Sequence, residues 1–164
     1  MILGLIASAC GGVERRLRPE LVEPAIRRGW TPAITLTPTA ARWFEASGEL
    51  DALRAPTELP VRWQSRLPAE PKPYPMPDAF LFAPASANSI AKLALGIADN
   101  QALTAISAEP LAPTLTSRSA VVGAQGIPAI VLPQVGDAQA GHPAFAGHLA
   151  TLRAAGVHIV DQPA

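Results

Sequence analysis

The sequence predicts an α/β fold in which a parallel sheet is covered by helices on both faces. Short apolar runs alternate with helix-patterned segments along the whole chain, the order expected of repeated strand–helix–strand units. The first run, Ile2–Ala7, is apolar throughout rather than alternating, as in a strand buried on both faces. The chain has 164 residues, 49% hydrophobic and 16% charged, enough for one domain with a real core and too apolar for disorder.

Each element follows from its pattern. Ile2–Ala7 ends in the small-residue turn Ser8–Gly12. From Glu14 to Arg28 the apolar positions Leu17, Leu21, Val22, Ala25 and Ile26 mark one helix face, stopped by Gly29. Pro19 and Pro24 interrupt it, which predicts a start near Pro19 and a kink at Pro24. Ala33–Thr37 reads as the second strand. A helix follows, with Thr37 as N-cap and Pro38 in its first turn. The poorly patterned stretch to about Met76, with Pro68, Pro71, Pro73, Pro75 and Pro77 at its end, reads as a stiff extended connector. Asp78–Ala83 is the third strand, and Pro84–Ser89 the turn after it. A helix over 87–98 carries Ile90, Leu93, Ala94 and Ile97 on its inner face. Ile127–Leu132, preceded by Gly126, is the fourth strand. His142–Ala155 is a helix with a Phe145/Leu149/Leu152 face, and Val157–Val160 is the final strand.

Charge and composition exclude several functions. Thirteen basic residues balance thirteen acidic ones, which argues against a nucleic-acid binder, since such a protein needs a basic face. The single cysteine, Cys10, rules out an internal disulfide and argues against a structural zinc cluster. The residues before Cys10 resemble a lipoprotein leader, but no Lys or Arg precedes the apolar run, which is only about eight residues long. With no span of about 18 apolar residues, a soluble cytoplasmic protein is expected, with no membrane partner.

In a parallel sheet the strand-to-helix loops gather at the carboxyl ends of the strands, where ligands bind. Those loops are Ser8–Gly12, Thr37–Thr39, Pro84–Ser89 and Pro133–His142. The first three are rich in small or hydroxylic residues, lack acids, and open toward helix N-termini. Each alone is explained as a cap or tight turn; their coincidence points to an anion such as a phosphate. Neither GxGxxG nor GxxxxGK[ST] is present, which disfavours the usual dinucleotide and triphosphate modes.

Pro84-Ala85-Ser86-Ala87-Asn88-Ser89-Ile90-Ala91-Lys92, followed by Gly96-Ile97-Ala98-Asp99-Asn100 and Thr104, resembles the flavoprotein family of homo-oligomeric flavin-containing cysteine decarboxylases. That family includes the phosphopantothenoylcysteine and lantibiotic peptidyl-cysteine decarboxylases. Weaker agreement lies at Ser8, at Thr37 with Ala40, at His142-Pro143-Ala144 and at Leu152 with Gly156-Val157. With the strand pattern, the resemblance implies a single-domain Rossmann-like three-layer α/β/α sandwich over 1–164, with a parallel sheet of about six strands. It further implies FMN held by Ser8, Thr37, Ser86, Ala87 and Asn88, chiefly through its phosphate, and a trimer or multiple of trimers with helix 87–98 near the interface, its Ala91 and Leu95 side toward a neighbour.

The chain departs from that family at two places. Val61–Pro77 contains no His where the decarboxylases carry one, and the Pro133 loop has Gly136 where a PxMN motif has Asn. The pattern looks like a bacterial branch lacking both groups. Two functions are therefore expected as alternatives: a flavin-dependent enzyme acting on a small molecule or peptide without the usual decarboxylase residues, or a non-catalytic FMN-binding regulatory or partner subunit. The catalytic residues stay unassigned, with Asp137 and Cys10 as candidates. Asp137 also reads as a turn former, and Cys10 as a small buried residue. Arg62, Arg66 and Glu70 stand near the missing His, as handles for an anionic substrate or as solvated charges. His142 and His148 are six apart, which on a helix points them away from one another and against a metal pair; His142 is expected to cap its helix or meet a neighbouring subunit.

Overall fold

A computed structural model describes residues 1–107 and 127–161. The strands are β1 (Ile2–Ala7), β2 (Thr31–Leu36), β3 (Ala79–Ala85), β4 (Ala129–Pro133) and β5 (His158–Ile159). They form one parallel sheet in the order β2-β1-β3-β4-β5. The helices are α1 (Val13–Leu17), α2 (Glu23–Arg27), α3 (Pro38–Ser47), α4 (Leu50–Arg54), α5 (Ala87–Leu95), α6 (Gln101–Ile106), α7 (Asp137–Ala140) and α8 (Phe145–Ala154). Gly126 of the expected approach to the fourth strand lies outside the described residues.

Alternation along the strands builds two cores. Leu5 and Ala7 of β1 and Ile34 and Leu36 of β2 face α1, α3 and α4, where Val13, Leu17, Phe44 and Leu53 are buried. Ile6, Phe80, Phe82 and Val131 point the other way, onto Ile90 and Leu93 of α5, Leu103 and Ile106 of α6, and Leu152 of α8. Because successive strand residues face opposite sides, the sheet becomes the middle of three layers. Among the described residues no helix is long and apolar enough to cross a membrane.

Among the described residues the sheet has five strands, near the expected six or so. A short pairing extends the sheet beyond β2: the Arg62 N–H donates to the Ile34 carbonyl at 3.0 Å, and the Leu36 N–H to the Arg62 carbonyl at 2.8 Å. The expected connector therefore does specific work, covering the outer edge of β2 that would otherwise present unpaired groups. The half-buried Tyr74 pins it, its hydroxyl donating to the Ile34 carbonyl at 2.6 Å and also meeting the Pro60 carbonyl. Burial pushes the ionisation of this phenol well above its ordinary range.

Beyond shifts of one to three residues at β4, α8 and β5, four element boundaries differ from expectation. The first helical segment starts at Val13 and does not break at Pro19; a π turn over Arg18–Val22 joins α1 to α2. There the Glu23 N–H bonds the Arg18 carbonyl, five residues back. Pro24 has no N–H for the next bond and its ring needs room against the carbonyl four residues earlier, and the wider turn supplies it. β2 starts at Thr31, two residues early, with Pro32 tolerated on the edge strand. β3 runs through Pro84 to Ala85 rather than ending at Ala83; its register with β4 slips between Phe82 and Ala85, so the proline occupies an irregularity in the ladder. Finally, α5 stops at Leu95 because Gly96 takes the left-handed φ of 73°. Ile97, expected on the inner face, thus lies beyond the helix and is 42% exposed.

Candidate functional site

The strand order reverses between β1 and β3: the chain builds outward from β1 to β2, then crosses back to continue through β3, β4 and β5. Loops leaving β1 and β3 consequently diverge, and a crevice opens outside their carboxyl ends. A cleft of about 440 Å³ lies there. Ala9, Cys10 and Gly11 form its β1 wall, Ser86 stands at the end of β3, and Gln134, Val135, Gly136 and Gln139 come from the β4 side. None of these eight residues is acidic.

Ser86 is the N-cap of the nine-residue α5, its Oγ accepting the Ser89 N–H at 3.1 Å. This is the expected use of a hydroxyl at a helix start, where the first N–H groups have no partner within the helix. The hydroxyls go further. Ser8 Oγ donates to Ser89 Oγ at 2.8 Å, and Ser86 Oγ lies 3.2 Å from the same atom. The Ser8 N–H also donates to the Pro84 carbonyl at 2.9 Å. The ends of β1 and β3 are thereby joined through backbone and side chain, and the start of α5 is oriented toward the cleft.

The structure therefore brings Ser8 and Ser86 together, through Ser89. Ser8 is 1% exposed and lies behind the cleft wall rather than on it. Ala87 is half-buried and Asn88 exposed in the first turn of α5. Thr37 sits one strand further out. Its N–H donates to the Ala7 carbonyl at 3.0 Å, and its Oγ1 caps α3 by accepting the Ala40 N–H at 3.3 Å. Ser89 and Gln134 are the residues that reading the sequence missed. Ser89 had a signal, since it stands three residues after the cap, where the two side chains of a helix start meet. Gln134 had none: nothing in a sequence says which distant carbonyl an amide will reach.

The catalytic candidates fare unequally. Asp137 opens α7 and is exposed, while its neighbours Gly136 and Gln139 line the cleft. Cys10 does reach the cleft, but it is buried, with its thiol donating to the Gln134 carbonyl at 3.7 Å. Desolvation raises its pKa from 9.0 to about 11, so at neutral pH it is a thiol and not a nucleophilic thiolate. The rate of alkylation by iodoacetamide is accordingly expected to climb about tenfold per pH unit and to level off only near pH 11. Stability should also fall between pH 9 and about 11, where the unfolded thiol has ionised and the folded one has not. A rate that levels off near pH 8 would contradict this burial.

The groups near the expected His position serve their own loop. Arg66 Nη1 donates to the Glu70 carbonyl at 2.8 Å, the Glu70 carboxylate accepts the Leu67 N–H at 2.8 Å, and Arg62 Nη2 donates to the Gln64 carbonyl at 3.1 Å. Arg62 and Glu70 line a separate hollow of about 500 Å³ beside β2. His142 uses Nδ1 to accept the Ala144 N–H at 3.1 Å, closing a turn ahead of α8; it does not cap the helix as expected, because Ala144 is the N-cap and no side chain bonds the first-turn N–H groups.

Comparison with known proteins places this architecture. No curated protein sequence matches the chain. Among solved structures, TvaF, an FMN-dependent cysteine decarboxylase from thioviridamide biosynthesis, is 23% identical over 98% of this chain and 90% of its own, with a TM-score of 0.75. The peptidyl-cysteine decarboxylase EpiD is 18% identical over 99% and 86%, with a TM-score of 0.69. A PPC decarboxylase mutant complexed with pantothenoylaminoethenethiol is 19% identical over 97% and 80%, with a TM-score of 0.66. At these identities the likeness is one of fold. The sequence itself goes further: residues 59–164, more than half of the chain, match the family described as Flavoprotein, and the protein belongs to that family.

Proposed function

We propose that this protein binds FMN at the cleft between β1 and β3, with the phosphate at the start of α5. The observation that carries this is the Ser8–Ser89–Ser86 hydroxyl chain at a nine-residue helix N-terminus beside an acid-free cleft. The donor set suits a phosphate: uncharged hydroxyls, the peptide N–H groups of the first turn, and the positive end of the helix dipole. Ser86, Ala87 and Asn88 would hold it directly, with Ser8 and Thr37 contributing from the neighbouring strand ends. Flavoprotein membership and the FMN-dependent relative support the same reading.

FMN, when bound, supplies redox chemistry that no side chain of the cleft offers. The residues of the cleft would hold the flavin, keep water out and orient a small-molecule or peptide substrate. We place it as a flavin-dependent enzyme, one flavoprotein domain over 1–164, acting in the cytoplasm without the usual cysteine-decarboxylase residues. A second reading, a non-catalytic FMN-binding regulatory or partner subunit, is favoured by the lack of His in Val61–Pro77 and by Gly136 in place of Asn. The test begins with purified protein, expected to be yellow with non-covalent FMN released on denaturation. Colourless protein that also fails to take up added FMN would sink the proposal. Anaerobic mixing of the oxidised flavoprotein with thiols and peptides, and of the photoreduced form with disulfides as electron acceptors, then separates enzyme from subunit. Bleaching of the oxidised flavin by a thiol or peptide, reoxidation of the reduced flavin by a disulfide, or product formation supports the enzyme, and a flavin inert to every reactant supports the subunit.

Assembly as a trimer or multiple of trimers belongs to the same proposal. Leu95 is 65% and Ile97 42% exposed at the end of α5, apolar surface of the kind that subunit contacts cover. Light scattering should give a mass near a multiple of three chains, and Leu95→Asp should lower it. A concentration-independent monomer would contradict the assembly.

A further inference from the structure

We infer that Gln134 is a positioning residue that clasps the two walls of the cleft, and that flavin affinity depends on the clasp; the second half rests on the FMN reading above. β1 and β4 are not neighbours in the sheet, since β3 lies between them. No ladder bond can therefore hold the loop after β1 against the loop after β4. Gln134 does so with two of its polar groups and ties the end of β3 with a third. Its backbone N–H donates to the Ala85 carbonyl at 2.9 Å, its carbonyl accepts the Cys10 thiol at 3.7 Å, and its side-chain Nε2 donates to the Gly11 carbonyl at 3.0 Å. One residue on the β4 side thus holds two consecutive residues of the β1 loop and the last residue of β3.

The side-chain bond is the part that substitution can remove, because the two backbone contacts exist whatever side chain is present. It also spans the cleft, with Gln134 and Gly11 both on its lining. A ligand entering a cleft whose walls are already held meets an ordered site. With the walls free, binding must order them first, and affinity falls. The bond is exposed to solvent, so its loss should leave the fold intact.

Two substitutions test the inference. Gln134→Met keeps the length and apolar stem but has no donor. Gln134→Glu turns an acceptor toward the Gly11 carbonyl when ionised and regains a donor only when protonated, near pH 4.3. In the apo protein, Gln134→Met should be alkylated at Cys10 several-fold faster than wild type at pH 8. By fluorescence titration it should bind FMN and riboflavin about three- to tenfold more weakly, by a common factor, because the clasp holds walls and not the phosphate. For Gln134→Glu, the deficit relative to wild type should shrink as the pH is lowered toward 4.3, a pH profile that a merely space-filling residue would not produce. Unchanged or tighter flavin binding by Gln134→Met, with wild type binding normally, would overturn the inference. Should wild type bind neither flavin, the FMN reading falls by itself. Cys10 alkylation then decides the clasp, a faster rate in Gln134→Met upholding it and an unchanged rate overturning it.

Discussion

FMN binding is expected to weaken about ten- to a hundredfold when Asn88 is replaced by alanine, with riboflavin binding almost unchanged and the apo-protein melting as before. Asn88 is exposed in the first turn of α5 and is not its cap, so its amide is available to a ligand. A hydrogen bond to a charged phosphate contributes about 1.5–3 kcal/mol, and that range converts to the stated loss. Riboflavin lacks the phosphate and should not register the change. Ser86→Ala is expected to behave differently, because its Oγ already accepts the Ser89 N–H. It should show the same selective loss of FMN together with a stability cost of about 0.5–2 kcal/mol from the missing cap. Titration of both variants with both flavins, alongside melts of the apo forms, resolves the two roles. If both flavins weaken equally in Asn88→Ala, the residue does not read a phosphate. If Ser86→Ala lowers only the melting temperature, capping is its whole role.

Phe82→Ala should destabilise the protein by about 3–5 kcal/mol, the cost of emptying a large aromatic site in a core that cannot collapse to fill it. Phe82 is fully buried on β3, registered between Ile6 of β1 and Val131 of β4, and shares a cluster with Ile90 and Leu93 of α5. Three strands and a helix thus converge on one ring, and none can move in without loosening another. For a chain of this size the loss corresponds to roughly 6–20 °C in melting temperature. Urea unfolding monitored by circular dichroism would measure it, with Phe82→Leu as a milder companion. A cost below about 1 kcal/mol would mean that the central strand can shift to close the void, contrary to the packing described.

Much of the cleft was legible because local chemistry writes it locally. Thr37 followed by Pro38 reads as a helix start from its residue types alone, and both take those positions in α3. The continuous apolar run Ile2–Ala7 is β1, residue for residue. The small-residue turns after β1 and β3 lie beside the cleft for a topological reason, since parallel strands must deliver their exit loops to the same edge. What was misjudged turned on local backbone conformations that residue type and spacing leave open. Ile97 fits a helical spacing with Leu93 and Ala94, yet the left-handed turn at Gly96 ends the helix before the spacing can apply. Pro19 and Pro24 are helix breakers by propensity, yet a π turn carries the helix past them with one face still buried against the sheet.

By itself, then, the sequence determined the alternating α/β layering, the central buried strand, the hydroxyl-rich helix starts and the family to which they belong, since these rest on residue type and short-range spacing. Long-range packing was needed to pair Arg62 with β2, to bring Ser8 and Ser86 together on Ser89, and to carry the Gln134 amide to the Gly11 carbonyl 123 residues away. The physical reason is the same in each case. A backbone N–H, hydroxyl or amide carries no mark of its partner, and any of many carbonyls would satisfy it. Which one does is settled when burial of the two apolar cores fixes the strand order and brings particular loop ends within hydrogen-bonding distance.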